Sequence, residues 1–114
     1  MFLDDCLSSL HGQWKSLNQV IVIIDDDEAS LKKAHEFILN KGSGFTKYTL
    51  VETTKHSGVY SSINVGLSFN RCDLVSFCGA DDMWDPSRSA HMIRSASSWK
   101  SICNSYHCKI DSEG

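Results

Sequence analysis

Two short apolar runs, each emptying into carboxylates, limit what this chain can fold into. Val20-Ile21-Val22-Ile23-Ile24 leads straight into Asp25-Asp26-Asp27, and Leu74-Val75-Ser76-Phe77-Cys78 is soon followed by Asp81-Asp82. A β-branched run of that length is too short for a helix. It is apolar on both faces, the pattern of a strand buried on both sides of a parallel sheet. In such a sheet both acid groups stand at the carboxyl edge, where α/β sheets bind ligands. Carboxylates gathered there repel one another, and a divalent cation bridging to phosphate is the usual relief. The expected ligand is therefore phosphorylated and held through a metal.

The remaining punctuation gives an alternating α/β order. Leu3, Leu7, Leu10 and Trp14 recur at helical spacing with Cys6 on the same face, predicting a first helix that frays near Gly12. Residues 19–24 read as a strand. Asp27 can cap a second helix with Leu31, Ala34, Phe37 and Ile38 as its apolar face, and Lys41-Gly42-Ser43-Gly44 ends it. His35, on or beside that face, reads as a packed structural histidine. Residues 46–52 read as another strand. Val59, Ile63 and Leu67 mark a third helix with Gly66 inside it, and close backbone packing explains a glycine that is about 1 kcal/mol worse than Ala in a helix. Residues 73–78 read as the next strand. Asp85-Pro86 is the N-cap and first-turn proline of a fourth helix. Ile102 to Ile110 is a further strand candidate.

Composition removes several classes. The 114 residues suit one domain with a real core. A net charge of −3 without a Lys/Arg cluster argues against a nucleic-acid partner, which needs a basic face. No apolar run has the length of a membrane span, so no transmembrane segment is expected. Asp4 and Asp5 stand where a signal peptide needs basic residues, so a cytoplasmic location is the default expectation. Five cysteines, an odd number at irregular spacing, do not make a disulfide framework, and Cys6 and Cys78 read as small core hydrophobes. Cys103, His107 and Cys108 lack a second ligand pair at zinc-finger spacing, so zinc is not expected.

With these residues in view, the chain resembles the family-2-like glycosyltransferases of the GT-A fold, in four segments matched in order. Leu3-Asp4-Asp5-Cys6-Leu7-Ser8-Ser9-Leu10 with Gln13-Trp14 resembles that family's first helix. Ile23-Ile24-Asp25-Asp26 resembles its "VDD" strand end. His56-Ser57-Gly58 through Asn64-Val65-Gly66-Leu67 resembles its "N-x-G…N-x-G-L" helix. Phe77-Cys78-Gly79-Ala80-Asp81-Asp82-Met83-Trp84-Asp85-Pro86 resembles the "DADD-x-W-x-P" segment that carries the D-x-D motif. The fold implied is an α/β, partial GT-A (Rossmann-like) nucleotide-sugar-binding domain, with a mostly parallel sheet and flanking helices, over residues 1–114. The activity implied is metal-dependent, inverting transfer of a sugar from a nucleoside-diphosphate donor to an acceptor the sequence does not name. The resemblance gives Asp26 the nucleobase, Asp81 the ribose or diphosphate, and Asp82 a Mn²⁺ or Mg²⁺ ion. Asn64 either positions its helix against the ligand or packs, and Trp84 reads as a core or lid aromatic.

The departures from the family pattern carry expectations of their own. Asp27-Glu28 replaces the usual Gly-Ser, and Gly79 replaces the first Asp of the acidic segment. The family's first strand, central in its sheet, has no counterpart ahead of the first helix. Without it, the strands at 19–24 and 73–78 are expected about 9.6 Å apart, with open edges through which copies can self-associate. The acceptor-binding half and the catalytic base have no counterpart either, so no catalytic residue is assigned and weak or absent transfer is expected of the chain alone. Two alternatives remain at this point. One is a receiver-like Mg²⁺-binding signalling domain, with Val22 to Glu28 resembling its first strand and acid pair but Cys78 where the phosphoacceptor Asp belongs. The other is a non-catalytic glycosyltransferase remnant.

Overall fold

The structure is a computed structural model that describes residues 2–13, 15–41, 47–53 and 58–96. The expected strand at 102–110, Trp14, and the Cys103, His107 and Cys108 group lie outside those residues. Six elements run in the order α1 (Phe2–His11), β1 (Val20–Asp25), α2 (Glu28–Asn40), β2 (Tyr48–Thr53), α3 (Val59–Leu67) and α4 (Arg88–Ser95). β1 and β2 form a two-stranded parallel sheet, from Val20 opposite Tyr48 to Asp25 opposite Thr53. Strand alternation sends the β1 side chains to two faces.

On one face, Val22 and Ile24 pack with Leu7 of α1 and Ala34 of α2. Leu3, Val20, Leu31, Phe37, Tyr48 and Leu50 close around this core. Leu7 and Ala34 are the most deeply buried of these, at 2% and 0% exposure. At the amino end of the sheet, His11, Phe37 and Tyr48 meet as an aromatic triangle with ring centroids 6.1 to 6.5 Å apart. The His11 Nδ1 and the Tyr48 hydroxyl are within hydrogen-bond reach at 3.2 Å.

On the other face lies α3. Its approach to β1 is set by Gly66: a Cβ built there would overlap Ile23 Cδ1 and stand 3.1 Å from Ile23 Cγ1. This is the close packing expected of that glycine. It corrects the expected apolar face, because the buried residues of α3 are Ser62 and Gly66, while Val59 and Leu67 are exposed. A helix drawn in by a glycine turns the glycine's own stripe toward the sheet. Ser62 tolerates burial because its hydroxyl donates to Gly58 O at 3.0 Å.

α2 begins as its sequence dictates. Asp27 sits in extended backbone at the N-cap and accepts from the Ser30 amide at 3.2 Å and the Ser30 hydroxyl at 2.7 Å. His35, however, is exposed and not packed. The α2 stripe that includes Leu31, Ala34 and Phe37 faces the core, and His35 falls outside it.

The expected strand at 73–78 does not form. Residues 74–79 carry no ladder, and Leu74, Val75 and Phe77 are 43%, 48% and 60% exposed. A strand needs a neighbour to pair with. The only described strands are β1 and β2, paired to each other, and the run at 74–79 forms no ladder with the second edge of either. The apolar run at 74–77 remains without regular structure.

The fourth helix also starts later than Asp85-Pro86 implies. Ser87 is its N-cap, and Asp85 instead accepts from the Ser87 amide at 2.9 Å and the Ser87 hydroxyl at 2.7 Å. That closes a turn ahead of α4 in place of a helix cap.

Candidate functional site

The carboxyl end of β1 is held by a carboxylate whose two oxygens are both engaged. Asp25 accepts from the Thr53 hydroxyl at 2.6 Å and from the Gly58 amide at 3.2 Å. It thereby ties the ends of both strands to the start of α3. Gly58 itself has φ of 89°, a conformation that side-chain-bearing residues rarely adopt. Asp25 is thus a structural acid at the edge.

Asp26 differs. Its amide donates to Thr53 O at 3.0 Å, the last rung of the sheet, and its φ is 52°. Left-handed backbone is costly for a non-glycine residue, although Asp tolerates it better than most. Asp26 is exposed and stands just past the strand end. Backbone strain of this kind persists where the surrounding structure over-determines it, and it concentrates at ligand sites.

Asp81 and Asp82 lie in a tight turn that α1 supports from behind. The Asp82 amide donates to Gly79 O at 3.0 Å, and the Gly79 amide donates to Asp82 Oδ2 at 3.2 Å. A Cβ at position 79 would stand 2.9 Å from Asp82 Oδ2 and 3.1 Å from Asp81 Oδ1. The glycine that departs from the family's first Asp is therefore what lets both carboxylates fold back over the turn. Beyond the turn the chain descends along α1. The Trp84 amide donates to Ser9 Oγ at 3.0 Å, and the Ser89 amide donates to Gln13 Oε1 at 2.8 Å. Trp84, half-buried, carries the Arg88 guanidinium 4.0 Å from its ring.

The direction of the segment follows from its anchors. Gln19, just ahead of β1, holds residue 71 through its Oε1 at 3.0 Å and residue 69 through its Nε2 at 2.8 Å. From there the chain rises to Cys78, which meets Cys6 of α1. The Asp81-Asp82 turn follows Cys78 and lies beside Cys6 of α1, beyond the Gln19 anchor at residues 69 and 71.

Asp81 and Asp82 are brought together, but Asp26 does not join them in a ligand cluster. Among the described residues no group of three or more His, Cys, Asp or Glu side chains is close enough to hold a metal ion. The donor set still fits a hard divalent cation. Mg²⁺ is commonly held by one or two carboxylates, with phosphate and water completing its shell, and Asp81 and Asp82 are both exposed. An open depression of about 380 Å³ lies at the opposite, amino edge, lined by residues that include Gln19, Asn70 and Arg71. It contains no carboxylate, and in parallel α/β sheets ligands bind at the other end.

Sequence reading missed the pairing of Cys6 with Cys78. Their Sγ atoms are 3.7 Å apart, and Cys6 Sγ donates to Gly79 O at 3.4 Å. The hydrogen bond from Cys78 holds the Cys6 thiol below its ordinary pKa, against burial and the Asp82 and Asp81 charges. The same bond, with burial, pushes Cys78 up. Cys78 is half-buried rather than a core residue. No sequence signal could have found a pair so far apart in the chain.

The family model for glycosyl transferase family 2 matches residues 2–113, and the chain belongs to that family. No curated protein and no solved structure matches it. The fold agrees with the match: the two-stranded parallel sheet and four helices of the described residues are consistent with a partial Rossmann-like GT-A domain. The chain is by family a glycosyltransferase. The receiver-like alternative loses its basis, since the segment that would carry a phosphoacceptor forms no strand and ends on Cys78. No described helix is long and apolar enough to cross a membrane.

Proposed function

We propose that residues 1–114 form a donor-binding domain, which takes a nucleoside-diphosphate sugar together with Mn²⁺ or Mg²⁺ and presents it to an acceptor hydroxyl. Asp82 holds the metal, Asp81 contacts the ribose or the diphosphate, and Asp26 accepts a hydrogen bond from the nucleobase. The observation that carries this reading is the Gly79–Asp82 turn. It presents two adjacent exposed carboxylates on a loop fastened to α1 through Ser9 and Gln13. A loop fixed in this way supplies preorganised carboxylates, which is what stabilisation of a departing diphosphate requires.

The chemistry is displacement at the anomeric carbon. The acceptor oxygen bonds to that carbon as the bond to the diphosphate oxygen breaks. Attack opposite the leaving group inverts the centre and requires both partners to be held in line. The metal, when bound, neutralises charge that builds on the diphosphate. The chain's own contribution is to orient the donor: Asp26 past the end of β1 and Asp81 on the turn fix its two ends. The general base that takes the acceptor proton is not assigned to any described residue.

Calorimetric titration with uridine- and guanosine-diphosphate sugars, with and without Mn²⁺, tests the proposal. At least one donor should bind in the presence of metal, and Asp82→Ala should abolish the metal dependence. Binding that ignores both Mn²⁺ and Asp82→Ala would instead identify a non-catalytic remnant of the fold.

A further inference from the structure

Cys6 and Cys78 are separated by 72 positions in the chain, yet their Sγ atoms stand 3.7 Å apart. The donor site proposed above uses neither. We propose that these two thiols form a reversible disulfide under oxidation by a peroxide, a covalent strap between α1 and the segment bearing Asp81 and Asp82.

The geometry needs little adjustment. A disulfide sulfur–sulfur bond is about 2.05 Å, so the gap must close by about 1.7 Å. The two sides are unequally fixed. Cys6 belongs to a helix whose Leu7 is 2% exposed in the core. Cys78 belongs to the ladder-free run at 74–79, which can yield without breaking a sheet bond. The remaining cysteine among the described residues, Cys72, lies beside Gln19 at the amino edge, with its Sγ 4.0 Å from Gln19 Oε1. It is not a competing partner.

The chemistry balances with peroxide as the two-electron oxidant. One thiol takes an oxygen atom from hydrogen peroxide to give a sulfenic acid and one water. The second thiol then attacks the sulfenic sulfur, the S–O bond breaks as the S–S bond forms, and a second water leaves. A dithiol reductant reverses the step.

The consequence falls on the acidic turn. In the reduced state Cys6 holds Gly79 by a thiol hydrogen bond to its carbonyl. Oxidation removes that donor and replaces it with a covalent bond one residue earlier. Trp84 remains tied to Ser9. The turn is then clamped at both flanks, and its opening motions are suppressed. This inference does not depend on whether a nucleotide-sugar binds.

The test is to treat the whole chain with graded hydrogen peroxide and map its cysteines by differential alkylation and peptide mass spectrometry. Amide hydrogen exchange is followed in parallel. The expected result is a cross-linked peptide pair containing Cys6 and Cys78, lost on dithiothreitol treatment, absent in Cys78→Ser and retained in Cys72→Ser. Exchange at residues 79–84 should slow several-fold in the oxidised protein and return on reduction. Cys78→Ser changes a half-buried residue of an unpaired segment, so it should fold, and a thermal melt checks this. Separate alkylation of Cys6 and Cys78 after oxidation would overturn the proposal. So would over-oxidation without a cross-link, cross-links scrambled among the other cysteines, or exchange at 79–84 that is indifferent to redox state.

Discussion

Replacing Gly66 by Ala sets two effects of known sign against each other. An interior helical Gly→Ala change is favourable by about 0.5–1 kcal/mol, because Gly has more backbone freedom to lose. Here the new methyl group would overlap Ile23 Cδ1 and press on Ile23 Cγ1 at 3.1 Å, with Ile21 Cγ2 at 3.8 Å behind it. Overpacking of this kind costs roughly 1–3 kcal/mol. Part of the strain relaxes because Cδ1 is the free end of a half-buried side chain. The net expectation is destabilisation by about 1 kcal/mol, a fall in Tm of roughly 4 °C for a domain of this size. Ile23→Val removes Cδ1 and alone costs about 0.5–1.5 kcal/mol. In that background Gly66→Ala should turn neutral or stabilising. Urea unfolding of the four proteins closes the cycle, and the coupling should be about 1–2 kcal/mol in favour of the double variant. If Gly66→Ala stabilises the wild-type chain, or costs the same in both backgrounds, then α3 does not rest on β1 through this glycine.

Three further outcomes follow from the site and the core. Asp26→Gly relieves a φ of 52°. It should leave stability unchanged or raise it by up to about 1 kcal/mol in urea unfolding, while donor affinity in the titration falls. His11 is held below the ordinary imidazole pKa by burial first and by the Lys41 charge second. The unfolded chain therefore takes up the proton first. Any stability that depends on neutral His11 is intact above about pH 6.5 and declines below it. Unfolding of wild type and His11→Phe at about pH 7.5 and about pH 5.5 should show a smaller pH slope in the variant. We also propose that the edge of β1 without a ladder partner among the described residues, with the exposed Leu74, Val75 and Phe77, promotes self-association. Sedimentation should detect concentration-dependent assembly that weakens in Val75→Lys, and a monomer at all concentrations would refute it.

What the sequence revealed, and what it hid, divides along a physical line. Val20–Asp25, the Asp27 cap and the α1 stripe of Cys6, Leu7 and Leu10 were legible because each depends on local pattern: β-branching, a side-chain acceptor before a helix, a helical period. Gly66 was legible because a glycine inside a helix needs a reason. The run at 73–78 has the composition of a strand as much as β1 does, but pairing is a property of two segments, and among the described residues this run forms no ladder with the free edge of β1. The face of α3 was misread because hydropathy favours Val59, Ile63 and Leu67, while close approach favours the small Ser62 and Gly66. At the site, the carboxylates were visible as residue types. The left-handed turn at Asp26, the structural engagement of Asp25, and the fold-back of Asp81 and Asp82 over Gly79 arise only from three-dimensional geometry.

The central claim is that acids from two distant parts of the chain serve one ligand. Paramagnetic broadening of amide resonances by Mn²⁺, added with a nucleoside diphosphate to the isotopically labelled chain, tests it most directly. A metal held at Asp82 with its nucleotide bound should broaden the amides of Gly79–Asp82 and of Asp26 together, with both effects lost in Asp82→Ala. Broadening confined to the turn, with the end of β1 untouched by metal and nucleotide, would contradict it.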